Sequence, residues 1–142
     1  AAALLLMSDE KARELGLQPL AQILASASTG VDPSVMGLGP ISAVQKAVNR
    51  AGLSLEQIDL IELNEAFAAQ ALGVIDKAEM DIEKINLDGG AIALGHPISA
   101  TGAILTLKAL NALDSFGGTK ALITMCIGGG QGIAIAIEKL GD

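Results

Sequence analysis

Short β-prone runs alternate with segments of helical periodicity along most of this chain, which leaves few ways to build its core. Leu20 to Ala27 is strand-like, and Pro40 then opens a helix whose apolar positions Val44, Ala47, Val48 and Ala51 recur at helical spacing. Asp59 to Leu63 is a second strand, and Phe67, Ala71, Val74, Ile75 and Ala78 form one face of the next helix. Ile85 to Ala93 follows as a strand interrupted by Gly89-Gly90, then a helix from Ser99 to Leu113 that is apolar nearly all round. Lys120 to Ile127 and Ile133 to Glu138 end the chain as a hairpin joined by a glycine-rich turn. Strands separated by helices predict an α/β fold: a mainly parallel, five-stranded mixed sheet in the order βαβαβαββ, its last strand antiparallel, with helices on both faces.

Local signals sharpen the boundaries. Ala1 to Met7 reads as a further buried strand, and Ser8-Asp9-Glu10 reads as the cap and acidic first turn of a short helix that Gly16 stops. Ser54-Leu55-Glu56-Gln57 has the form of a capping box, and Asn64 is placed to cap the helix after the second strand.

The chain has 142 residues, enough for one domain with its own core. Apolar residues make up 51% of it while Trp and Tyr are absent, so that core is built from Ala, Leu, Ile and Val. A mean hydropathy of +0.52 exceeds what a small domain needs, which points to surface that a partner covers. No apolar run approaches the roughly 18 residues of a membrane span, and Ala1 to Met7 lacks the basic leader of a signal peptide. One cysteine excludes an internal disulfide framework and suggests a reduced, cytoplasmic setting. A net charge of −7 with nine scattered basic residues argues against a nucleic-acid partner.

The only histidine and the only cysteine lie in glycine-rich turns, Gly95-His96-Pro97 and Cys126-Ile127-Gly128-Gly129-Gly130, and Asn64-Glu65-Ala66-Phe67 ends another apolar run. Reactive groups of an open α/β sheet gather beyond the carboxyl ends of its strands, where the predicted elements put Asn64, His96 and Cys126. Each also has a plainer reading: Asn64 as a helix cap, His96 as a loop residue satisfied by backbone, Cys126 as a small buried apolar group. Three such residues at three successive strand ends favour chemistry. Gly128 to Gly132 leads into a strand and so cannot be a dinucleotide loop, and one His with one Cys is too few for a zinc site. Glycine-freed backbone N–H groups near a thiol and an imidazole are instead the material of an oxyanion hole.

Asn64-Glu65-Ala66-Phe67-Ala68, Gly89-Gly90-Ala91-Ile92-Ala93-Leu94-Gly95-His96-Pro97 and Cys126-Ile127-Gly128-Gly129-Gly130-Gln131-Gly132 resemble the three C-terminal motifs of the thiolases, in order and spacing. Thiolases make or cleave 3-ketoacyl-CoA thioesters, and the acetyl-CoA acetyltransferase type fits best. The resemblance covers the whole chain and implies a thiolase-like C-terminal half over residues 19–142. Residues 1–18 then resemble the last strand and helix of an N-terminal domain. It also implies roles. The position of His96 activates a nucleophilic cysteine, that of Cys126 moves a proton on the second acyl-CoA, and that of Asn64 holds a water in an oxyanion hole. The Gly128 N–H helps bind the other thioester oxygen, and Met36, Ala66 and Phe67 line the path of the CoA arm.

The acyl-accepting cysteine of a thiolase belongs to its N-terminal half, and Cys126 is the only thiol here. The resemblance therefore implies coenzyme A and acyl-CoA as substrates, no covalently bound cofactor, and an N-terminal thiolase half as partner, within a homo-oligomeric enzyme. It implies that the chain alone is inactive. Ser99 and Thr101 depart from the Gly and Ser common in acetyl-CoA acetyltransferases and bear on the pocket's shape. A second reading, a non-catalytic thiolase-fold scaffold, leaves the trio Asn64, His96 and Cys126 without a purpose.

Overall fold

The computed structural model describes residues 1–141 and contains one mixed sheet with helices on both faces. Its strands are β1 (Ala21–Gly30), β2 (Leu60–Leu63), β3 (Lys120–Ile127) and β4 (Gln131–Lys139), in the spatial order β1-β4-β3-β2. β2 pairs with β3 in parallel, and β4 is antiparallel to both β3 and β1. Three strands thus run one way and β4 opposes them, but its insertion between β1 and β3 leaves one parallel ladder rather than a mainly parallel sheet.

The helices are α1 (Asp9–Glu14), α2 (Gly39–Arg50), α3 (Ala68–Lys77), the single turn α4 (Ala91–Leu94) and α5 (Thr101–Phe116). Strand alternation sorts the core into two layers. Ala27, Leu122, Ala134 and Ala136 meet Val44, Ala47 and Val48 of α2 and Ala71 and Val74 of α3 on one face. Leu60, Ala121, Ile123 and Ile137 meet Leu105, Ala109, Ala112 and Leu113 of α5 on the other. Among the described residues no helix is long and apolar enough to cross a membrane.

The caps behave as expected at Ser8, whose hydroxyl accepts from Lys11 N, and in the capping box of Ser54 and Gln57. Four expectations need correction. Ala1 to Met7 is not a strand: no ladder partner reaches it among the described residues, and Leu5 is 80% exposed. Ile85 to Ala93 is not a strand either. Only Ile85 bridges β2, opposite Ile61; Asn86 then turns with φ +50° and Gly89 with φ +80°, and the segment enters α4, so the sheet has four strands, not five. Asn64 does not cap α3, which begins at Ala68; its N–H donates to Thr124 O and prolongs β2. Finally, α5, apolar nearly all round in sequence, is fully buried only along Thr101, Leu105, Ala109, Ala112 and Leu113; its other side is part-buried, with Gly102, Asn111 and Asp114 exposed.

Gly132 shows what one turn glycine is for. A Cβ there would collide with the carbonyl of Gly39, where α2 starts, so the hairpin backbone lies directly against the helix entrance. Both residues are buried. Gly132→Ala is expected to destabilise the fold by about 1–3 kcal/mol through overpacking, read as a lower urea midpoint with an unchanged slope.

Candidate active site

β2 delivers Asn64 to the site. The residue is 0% exposed and its side-chain amide donates to His96 Nε2 at 3.4 Å. His96 follows α4 in an exposed loop, and its Nδ1 lies 2.7 Å from Thr101 Oγ1 at the start of α5. With the Thr101 hydroxyl proton assigned to Pro97 O, 3.1 Å away, its oxygen is the acceptor for His96 Nδ1–H. In that assignment the imidazole is the Nδ1–H tautomer, and its Nε2 lone pair faces the Asn64 amide. Asn64 Oδ1 is buried and has no protein partner, an acceptor a water or substrate donor could satisfy.

Thr101 is therefore placed to hold the tautomer, a role that no sequence signal marks. Thr101→Val should remove the acceptor and leave the imidazole proton free to populate both ring nitrogens, whereas Thr101→Ser should preserve the native form. Long-range proton–nitrogen NMR reads this without assignment, because His96 is the only histidine.

The loop carrying His96 is held by a second unforeseen set. The Glu65 carboxylate accepts from Ile92 N at 2.9 Å and from Asn86 Nδ2 at 3.1 Å. The Asn86 side chain also pairs with Leu63, accepting from its N–H and donating to its carbonyl at 2.9 Å each, so it supplies the ladder bonds the missing fifth strand would have made. A Cβ on Gly90 would collide with the Glu65 carboxylate, which places the Gly89-Gly90 pair against the Asn64-Glu65 corner. These residues carry no independent sequence signal beyond their positions in the motifs.

Cys126 sits near the end of β3, opposite Gly132 of β4, and is half-buried. It lines a cleft of about 370 Å³ together with Met36, Ala66 and Phe67, the residues expected along the CoA path, and with Gln70. Gln70 ties α3 to the opposite wall by donating from Nε2 to Gly37 O at 3.1 Å. No charged side chain lines this cleft among the described residues, and burial pushes the Cys126 thiol above its usual range, against the pull of a backbone hydrogen bond. Asn64, Gly95, Pro97 and Thr101 line a smaller cavity beside it.

The two cavities are joined by the chain from Asn64 to Phe67. Asn64 bonds Thr124, and Cys126 lies two residues further along β3, roughly 7 Å. Asn64 and His96 are in direct contact, Cys126 is grouped with the apolar cleft residues, and Gly128 is exposed at the tip of the hairpin turn and lines neither cavity. Gly130 and Gly132 serve close backbone packing, against Val31 and Gly39 respectively. Phe67, Ile92, Leu94 and Ile98 form an exposed apolar rim, with Phe67 at 68% and Ile98 at 80%. Among the described residues no group of three His, Cys, Asp or Glu side chains could hold a metal ion.

A four-stranded mixed sheet flanked by helices, with the three motifs at one end, is an α/β architecture of the thiolase class. The chain belongs to the thiolase family, since residues 17–139 match the family model described as thiolase, C-terminal domain. It is 55% identical over 140 residues to the acetyl-CoA acetyltransferase of Escherichia coli, covering 99% of this chain and 36% of that protein. The crystal structure of Bacillus anthracis acetyl-CoA acetyltransferase matches with a TM-score of 0.91 and 48% identity, over 94% of this chain and 34% of that one. Human mitochondrial 3-ketoacyl-CoA thiolase in complex with CoA matches with a TM-score of 0.91 and 44% identity, over the same shares. The chain thus spans about a third of the length of the relatives it matches.

Proposed function

We propose that this chain supplies the acid/base half of a thiolase active site and works with an N-terminal thiolase half that carries the acyl-accepting cysteine. The observation that supports this most is the Asn64–His96–Thr101 chain, in which a buried threonine fixes the imidazole proton on Nδ1 and leaves Nε2 as a base. A scaffold would gain nothing from that arrangement. In the proposed reaction His96 Nε2 takes the proton from the partner's thiol, which then accepts the acyl group from acyl-CoA with CoA as leaving group.

Cys126 then exchanges a proton with the α-carbon of the second acyl-CoA, taking it for condensation or returning it after cleavage. Burial favours the neutral thiol, the form that donates; its deprotonation calls for a base or positive field from the partner, because no charged side chain lines the cleft among the described residues. Asn64, with a water on its unpartnered side, and His96 bind one thioester oxygen, and the Gly128 N–H contributes to a second oxyanion site. The cleft of Met36, Ala66 and Phe67 receives the apolar arm of coenzyme A, a substrate and not a bound cofactor. The exposed rim of Phe67, Ile92, Leu94 and Ile98 is covered by the N-terminal half, and the assembled enzyme is a homo-oligomer.

The test is complementation. The purified chain should give no thiolysis of acetoacetyl-CoA by CoA, and adding an N-terminal thiolase half should produce turnover. Turnover by the chain alone would overturn the half-site reading.

A further inference from the structure

The most buried charged group among the described residues, Glu62, has no part in the chemistry proposed above. It stands in the middle of β2 at 0% exposure, between Ile61 and Leu63, both buried. Lys108 of α5 reaches it with Nζ 3.0 Å from Oε1 and 2.8 Å from Oε2, and Nζ also donates to Gly89 O at 2.6 Å. The three donors of the ammonium are thereby matched to three acceptors on two different segments. Burial, the largest influence, pushes the Glu62 carboxyl above the usual range; Asp88 and Glu65 push the same way, against Lys108. A buried ion pair of this kind is weak support for stability, because desolvation offsets most of its attraction, so its use is more readily sought in geometry.

The geometry is a second rung beside the site. Glu62 and Asn64 are two residues apart on β2 and share a face, and Lys108 and Thr101 are seven apart on α5, two helical turns on one side. β2 and α5 are therefore joined twice, once by Glu62–Lys108 and once by Asn64–His96–Thr101. Lys108 lines the same small cavity as Asn64 and Thr101. Its third bond holds Gly89, in the segment that leads through α4 to His96.

We propose that Glu62, Lys108 and the Gly89 carbonyl form a positioning clamp that sets the gap between β2 and α5 and so holds His96 between Asn64 and Thr101 in its Nδ1–H form. The inference rests on reading His96 as the working base. The clamp touches no reacting atom and acts through the imidazole.

The test is the proton–nitrogen spectrum of the lone imidazole, at a pH where it is neutral, in the intact chain and in Glu62→Leu/Lys108→Met, which replaces the pair by apolar groups of similar volume. The expected result is a single Nδ1–H tautomer in the native chain and averaged ring signals in the folded double variant. Glu62→Gln, which keeps the shape and removes the charge, is read the same way if the double variant does not fold. In the complemented enzyme the same variants should lower kcat by about 100-fold, the scale of a misplacement near 1 Å, with little change in KM. Native ring signals in a folded variant would overturn the clamp, as would an Nε2–H tautomer in the native chain. A clamp-dependent spectrum in a chain that never supports turnover would uphold the clamp and strike the thiolase reading instead.

Discussion

His96→Ala in the complemented enzyme is expected to lower turnover by about 10²–10⁴-fold, the usual contribution of a positioned general base. The side chain is exposed and its contacts are two hydrogen bonds, so the variant should fold with a near-native melting temperature. Loss of activity would then report chemistry and not collapse. The step affected first should be acylation of the partner's thiol, because only that step needs Nε2 as the initial proton acceptor. A stopped-flow measurement of CoA release in the first turnover reads it directly. Normal acylation in a folded His96→Ala enzyme would contradict the role.

Cys126→Ala should separate the two half-reactions in the opposite sense. Acylation should persist, while exchange of the acetyl-CoA methyl protons with solvent and condensation should fall by about 10²–10⁴-fold. The thiol carries its own pH signature. Its pKa is raised in the folded state by burial, so its stability contribution is fully present below the unfolded thiol's pKa and is lost as pH rises from there through the folded value. Alkylation of Cys126 in the chain alone should accordingly be slow at neutral pH and accelerate only above the range of a free thiol, and the alkaline loss of stability should shrink in Cys126→Ala.

How much of this was readable from residues alone follows from what each feature depends on. α2 and the β3–β4 hairpin were legible because their apolar periods, 3.6 and 2, each face one core layer. The fifth strand failed because periodicity cannot see Asn86, whose side chain takes over the ladder bonds to Leu63 and turns the backbone away. The mainly parallel pairing failed because the insertion of β4 between β1 and β3 is a long-range choice that local signals do not encode.

The site divides the same way. His96 and Cys126 stand out as the only residues of their kind, each in a glycine-rich turn, and Asn64 by its place at a strand end; Met36, Ala66 and Phe67 come from the family resemblance and group with Cys126 in one cleft. Thr101 as tautomer holder and Glu65 as loop anchor were illegible, since ordinary polar residues gain those roles only when α5 and β2 come together. Glu62 and Lys108 do leave a trace, a carboxylate between the apolar residues Ile61 and Leu63 of a strand and a lone ammonium in an apolar helix. Each alone reads as a break in the pattern, and only the fold makes them a pair.

The central claim, that this chain holds the acid/base groups and not the acyl acceptor, is tested most directly by intact mass. The complemented enzyme is incubated with acetyl-CoA, quenched in acid and separated into its two polypeptides. An acetyl group on the N-terminal half, with this chain at its unmodified mass, is the predicted result; an acetyl thioester on Cys126 would contradict it.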